Sequence, residues 1–80
     1  MAELEPTKAL IELLADIDDR KVYTEPLTFA AYRNRLDGLP EVVSEMAWTV
    51  EHAGWAVELA DDPVWHLTPL GREVLDRGAP

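Results

Sequence analysis

The period of the apolar residues changes at Gly54, and that change limits the folds open to this chain. Before it, Leu39, Val43, Met46, Ala47 and Val50 recur at helical spacing. After it, Trp55, Val57 and Leu59 alternate with Ala56, Glu58 and Ala60, the period of a half-buried strand. Asp61-Asp62-Pro63 has turn chemistry, and Val64-Trp65-His66-Leu67 supplies a second strand with Trp65 and Leu67 on one face. A helix running through a glycine stop into a β-hairpin is therefore expected across residues 40–67. A four-helix bundle with residues 55–67 as an irregular loop is the rival, and the Trp55-Val57-Leu59 alternation speaks against it.

The flanking segments read with the same rules. Thr7 is an N-cap for a first helix over about residues 6–18, because Leu10, Leu13, Leu14 and Ile17 form an i, i+3, i+4, i+7 stripe. The lead before Thr7 is acidic. Asp18 to Lys21 is a charged turn, and Val22-Tyr23-Thr24 suits a very short edge strand or a loop. Thr28 as N-cap, with Phe29, Tyr32 and Leu36 at helical spacing, predicts a second helix over about 27–36 with Phe29 and Tyr32 in the core. Gly38 and Pro40 make a tight turn into the third helix, about 40–53, with Gly54 just past its end. Thr68-Pro69 opens a last helix with Leu70, Val74 and Leu75 on its apolar side, ending near Gly78. Eighty residues make one domain over 1–80, with a core of about 7–77.

The expected class is α+β: a three-helix core, a two-stranded hairpin and a C-terminal helix. The stretch from His52-Ala53-Gly54-Trp55 to Leu67-Thr68-Pro69-Leu70-Gly71 resembles the wing of winged-helix regulators of the MarR and PadR type. In such families the third helix ends in a glycine before strand, turn and strand, and the second strand runs into Leu-Thr-x-x-Gly. The resemblance implies a winged helix-turn-helix that binds an operator, with the third helix in the major groove and the wing against phosphate.

Charge points elsewhere. The chain has 16 acids against 7 bases, a net charge of −9, and no Cys. Residues 36–71 carry seven acids and no Lys or Arg, so the third helix faces outward with Glu41, Ser44, Glu45, Trp48 and His52, and the wing tip is Asp61-Asp62. DNA affinity depends on cations that neutralise phosphate. The acidity reads either as a functional surface or as the bias of a salt-loving cytoplasm.

The leading expectation is a non-enzymatic cytoplasmic module that binds a protein partner, or itself as a homodimer, through the acidic third-helix face: Glu41, Glu45, Trp48 and His52. The alternative is a DNA-binding transcription regulator in a high-salt cytoplasm. Its candidate nucleic-acid contacts are Arg20, Lys21, Arg33 and Arg35, the one basic cluster, which would otherwise meet the acidic face of a second copy. Trp48 reads either as an interface residue or as core. Trp55 and Trp65 suit a pair across the hairpin.

No cofactor, metal or membrane contact is expected. Ser44 is the single serine, and no Gly-rich phosphate loop occurs. His52 with Glu45 or Glu51, and His66 with Asp62, match no metal-ligand pattern. The longest apolar run, residues 9–17, is broken by Glu12 and Asp16.

Overall fold

The computed structural model describes residues 5–35 and 38–78. Its elements run α1 (Lys8–Asp18), β1 (Val22–Thr24), β2 (Ala31–Arg33), β3 (Glu41–Val42), α2 (Ser44–His52), β4 (Ala56–Leu59), β5 (Asp62–Leu67) and α3 (Pro69–Gly78). The strands form one antiparallel sheet of order β3-β2-β1-β5-β4. The fold is α+β, and none of the described helices is long and apolar enough to cross a membrane.

α1 forms where its stripe predicts. The Thr7 hydroxyl accepts from the Leu10 N–H, satisfying one of the helix's open donors, and Leu10, Leu13, Leu14 and Ile17 are buried. The helix closes with paired reverse bonds, Arg20 N–H to Ile17 C=O at 3.0 Å and Lys21 N–H to Asp16 C=O at 2.9 Å. This closure places Arg20 at φ 61°, a left-handed conformation that glycine usually fills. α2 ends by the same closure, with Gly54 at φ 82° and the Trp55 N–H on Val50 C=O.

The expected second helix is not formed. Glu25 captures the segment instead: its carboxylate accepts from the Leu27 and Thr28 N–H groups and the Thr28 hydroxyl, at 2.7–3.0 Å. Those bonds fold residues 25–30 into a tight loop, closed by Glu25 N–H to Ala30 C=O and Phe29 N–H to Glu25 C=O. Phe29 sits at φ 60° and is 73% exposed, so it is not a core residue. Tyr32 enters β2 opposite Tyr23, and the two rings stack with centroids 6.0 Å apart. Leu36, the last anchor of that expected helix, lies outside the described residues. The described residues therefore form three helices and five strands, not four helices with a hairpin.

The expected third helix starts later than its apolar spacing suggests. Glu41–Val42 pairs with β2 as a strand, and the Val43 N–H bonds to Ala31 C=O. Leu39 is consequently 87% exposed rather than part of the stripe, while Val43, Ala47 and Val50 are buried. The hairpin at 56–67 forms as expected, but its parity is the reverse of the simplest reading. Trp55 precedes β4 and drops into the core from the turn; within β4 the buried residue is Ala56, and Val57 and Leu59 face out. Trp65 is buried beside Glu58, not paired across the hairpin with Trp55.

All three helices cover one face of the sheet, where Val22, Ala31, Ala56 and Trp65 meet α1, α2 and α3 in a single core. A clasp joins α2, the hairpin and α3. The Thr68 hydroxyl donates to Gly54 C=O at 2.5 Å and accepts from the Gly71 N–H at 3.0 Å, while the Thr68 N–H reaches Trp55 C=O at 3.1 Å. A Cβ on Gly71 would stand 1.8 Å from the Trp55 carbonyl oxygen, so only glycine lets α3 approach this closely.

Two glycine exchanges have opposite signs. Gly71→Ala forces backbone apart and costs about 3 kcal/mol or more, at the upper end of overpacking effects. Phe29→Gly relieves a left-handed non-glycine residue and adds about 0.5–1 kcal/mol, net of the entropy that glycine gives the unfolded chain. Urea titration of the two variants beside the wild type checks both.

A candidate interaction groove between the second and third helices

The clasp joins the end of α2 to the start of α3, and a groove opens between the two helices. It is lined by Glu45, Trp48, Thr49 and His52 of α2, by Ala53 and Trp55 of the turn, by Leu70, Val74, Arg77 and Gly78 of α3, and by Pro6 ahead of α1. The groove holds about 1150 Å³. Its floor is apolar: Trp55 is buried, and Val74 and Ala53 pack on the core. Trp48 stands half in solvent, 50% exposed, and Leu70 is exposed on the facing helix. The helical spacing that separates Trp48 from Val43, Ala47 and Val50 has the physical effect expected of it: the core takes the other side of α2.

Three of the four residues assigned to the third-helix face, Glu45, Trp48 and His52, thus share one concavity. Glu41 does not. It lies in β3, where it accepts from Arg33 at 2.6 Å and from Arg35 at 3.0 Å. Sequence reasoning missed Leu70, Val74 and Arg77 as lining residues. Leu70 and Val74 read from the sequence as the apolar side of the last helix, and their i, i+4 relation is the available signal.

Of the basic cluster, Arg33 is withdrawn from the open surface. The Arg33 guanidinium is largely buried between Asp16 of α1, at 3.1 Å, and Glu41 of β3. The carboxylates on either side hold its proton more tightly than usual despite the burial that opposes it. Arg33 and Arg35 bonds push the Glu41 carboxyl below the ordinary glutamate range. Lys21 lies 3.9 Å from Asp19, and Arg20 contributes favourably to the Asp62 carboxylate. Farther along the chain, Arg72 forks onto Asp18, tying α3 to the end of α1, and Arg77 meets Glu73 at 3.3 Å.

Two other polar groupings are built into the fold. The Trp65 indole N–H donates to the Thr24 hydroxyl at 2.9 Å, and that hydroxyl donates to Glu58 at 2.5 Å. Glu51 of α2 faces Glu58, and partial burial together with this neighbour raises its carboxyl above the usual value. On β5, Asp62 and His66 are 2.8 Å apart, and the imidazole lowers the Asp62 carboxyl. Among the described residues, no three His, Cys, Asp or Glu side chains converge to hold a metal ion.

No protein-family model, curated protein or solved structure matches this chain.

The Arg33 bridge carries a pH-dependent prediction. Glu41 has a lowered pKa in the fold, so its contribution is present above the unfolded glutamate pKa and is lost as pH falls through the folded value. Arg33→Ala costs about 1–2 kcal/mol at pH 7, a value reduced for the partial exposure of both carboxylates. The gap to wild type narrows as the pH falls below the ordinary glutamate range, which denaturant melts at pH 7 and pH 3 detect.

Proposed function

We propose that this chain is a small non-enzymatic interaction domain that docks a basic protein segment in the α2–α3 groove, with Trp48 as the anchor. The observation that carries the reading is a half-exposed tryptophan over an apolar floor, in a chain with a net charge of −9. Tryptophan gives large contact area for little entropy and is over-represented among residues that dominate binding energy. Glu45 and the anionic field of the whole molecule favour a partner with Lys or Arg beside its apolar side chains.

The same proposal treats the domain as a modified winged helix. Its support is the order α1, β1, α2, β4, β5, with β1 paired to the second hairpin strand and a left-handed glycine between α2 and the hairpin. The β2–β3 ladder stands where the second helix of a helix-turn-helix would be. The departure weakens the operator-binding alternative, and so does Arg33, which is held between two carboxylates rather than presented to phosphate.

Binding is tested with a Lys/Leu amphipathic helical peptide, a Glu/Leu peptide of the same pattern and mixed duplex DNA, each across low to molar salt. The Lys/Leu peptide shifts the Trp48 indole and the Leu70 and Val74 methyl resonances, and Trp48→Ala weakens it by about thirtyfold, the ~2 kcal/mol of a hot-spot residue. Equal binding by the Trp48→Ala variant reduces the effect to bulk charge attraction and removes the groove. Salt-sensitive binding of DNA instead restores the regulator reading.

A further inference from the structure

Thr24 of β1 sits in a chain of hydrogen bonds whose direction is set by chemistry. The Trp65 indole N–H can only donate, and it donates to the Thr24 hydroxyl oxygen at 2.9 Å. The hydroxyl proton then goes to Glu58 Oε1 of β4 at 2.5 Å, the short separation of a hydroxyl on a carboxylate. Glu58 is the register partner of Trp65, so both side chains lie on the helix-covered face of the sheet. On that face α2 packs against β4. Glu51 follows the buried Ala47 by one helical turn, so it stands at the flank of the core, half-buried, with its carboxyl hydrogen-bonded to Glu58.

Ionised carboxylates only accept, so a hydrogen bond between two of them needs one proton. Glu58 already receives a bond from Thr24, which leaves Glu51 to hold that proton. Burial first, and then Glu58, raise the Glu51 carboxyl above the usual value, while His52 beside it in α2 opposes them. The other charges around these elements have partners elsewhere or face water. In α1, Asp16 and Asp18 are bound by Arg33 and Arg72, and Lys8 and Glu12 are exposed. Arg33 is the charged residue of β2. Asp62 and His66 of β5 meet each other, and across the groove Arg77 of α3 meets Glu73.

We propose that Glu51 and Glu58 form an acid-closed latch between α2 and the hairpin, with Glu51 carrying the proton and Thr24 positioning Glu58 to receive its bond. With the proton in place, a carboxyl donates to a carboxylate across the two elements. Without it, like charges face each other at the edge of the core and loosen the hold of α2 on β4. Glu51 binds its proton more tightly in the fold than in the unfolded chain. Its contribution is therefore fully present below the unfolded glutamate value and is lost as pH rises through the folded one. The latch uses none of the residues that line the α2–α3 groove, so it stands independently of the function proposed for that groove.

NMR titration of the side-chain carboxyl carbons from about pH 3 to about pH 8, a span that contains the glutamate range, tests it. In wild type Glu51 titrates above the ordinary glutamate range, and the Trp65 indole N–H resonance shifts in step with it. Glu58→Gln returns Glu51 to the ordinary range. Thr24→Val lowers the Glu51 midpoint, whereas Thr24→Ser, which keeps the hydroxyl, leaves it in place. Urea melts give a second reading. Glu51→Gln, which resembles the protonated carboxyl, matches wild type at about pH 3 and lowers the unfolding constant about twofold to fivefold at about pH 8, the range of one exposed charge pair. A Glu51 that titrates in the ordinary range overturns the latch, and so does a midpoint that ignores Glu58→Gln. An effect of Glu51→Gln that is equal at both pH values also overturns it. An indole resonance that stays still while Glu51 titrates, or equal midpoints in the valine and serine variants, removes Thr24 from the device.

Discussion

The close approach of α3 to the Trp55 carbonyl holds the rest of the molecule in place. Thr68 bonds to both Gly54 and Trp55 and caps the helix that begins after it, so one side chain ends a strand, starts a helix and ties both to the end of α2. Gly71 then sets the distance between helix and turn. The groove follows from this geometry, because Trp48 and Leu70 line it from two helices whose ends the clasp joins. The hairpin also depends on it: its two strands start and finish at the residues the clasp joins.

Electrostatics adds a second layer of restraint. Arg33 connects α1 with β3, and Arg72 connects α3 with the end of α1. In a chain with 7 bases against 16 acids, these arginines act as internal ties between elements. The exterior left behind is predominantly anionic, which sets the kind of surface that can approach it.

What the sequence reveals follows the range of the forces involved. α1, the hairpin, Gly54 and the Thr68-Pro69 start are legible because each is decided within a few residues, by caps, periodicity and turn chemistry. Residues 25–33 are not. Phe29, Tyr32 and Leu36 have helical spacing, but the outcome turns on Glu25 collecting three donors and on Tyr32 finding Tyr23. Glu41 is misread for the same reason: its partner Arg33 is eight residues away, and pairing with β2 prevails over the helix start that Pro40 suggests. Trp48 is legible as lying off the core stripe. The wall opposite it belongs to α3, whose position depends on a carbonyl-to-glycine contact that no local pattern encodes.

The sheet is joined at its middle by very little. β1 meets β5 through one register pair, Tyr23 with Val64, and through the Trp65 indole bond to Thr24 behind it. The strands therefore make two leaves, a three-stranded meander and a hairpin, sewn by a seam one residue pair wide and backed by α1. Val22 and Trp65, fully buried on the two sides of that seam, carry the join through the core instead of through the ladder, so the two leaves are held together by side chains where the backbone bonds run out.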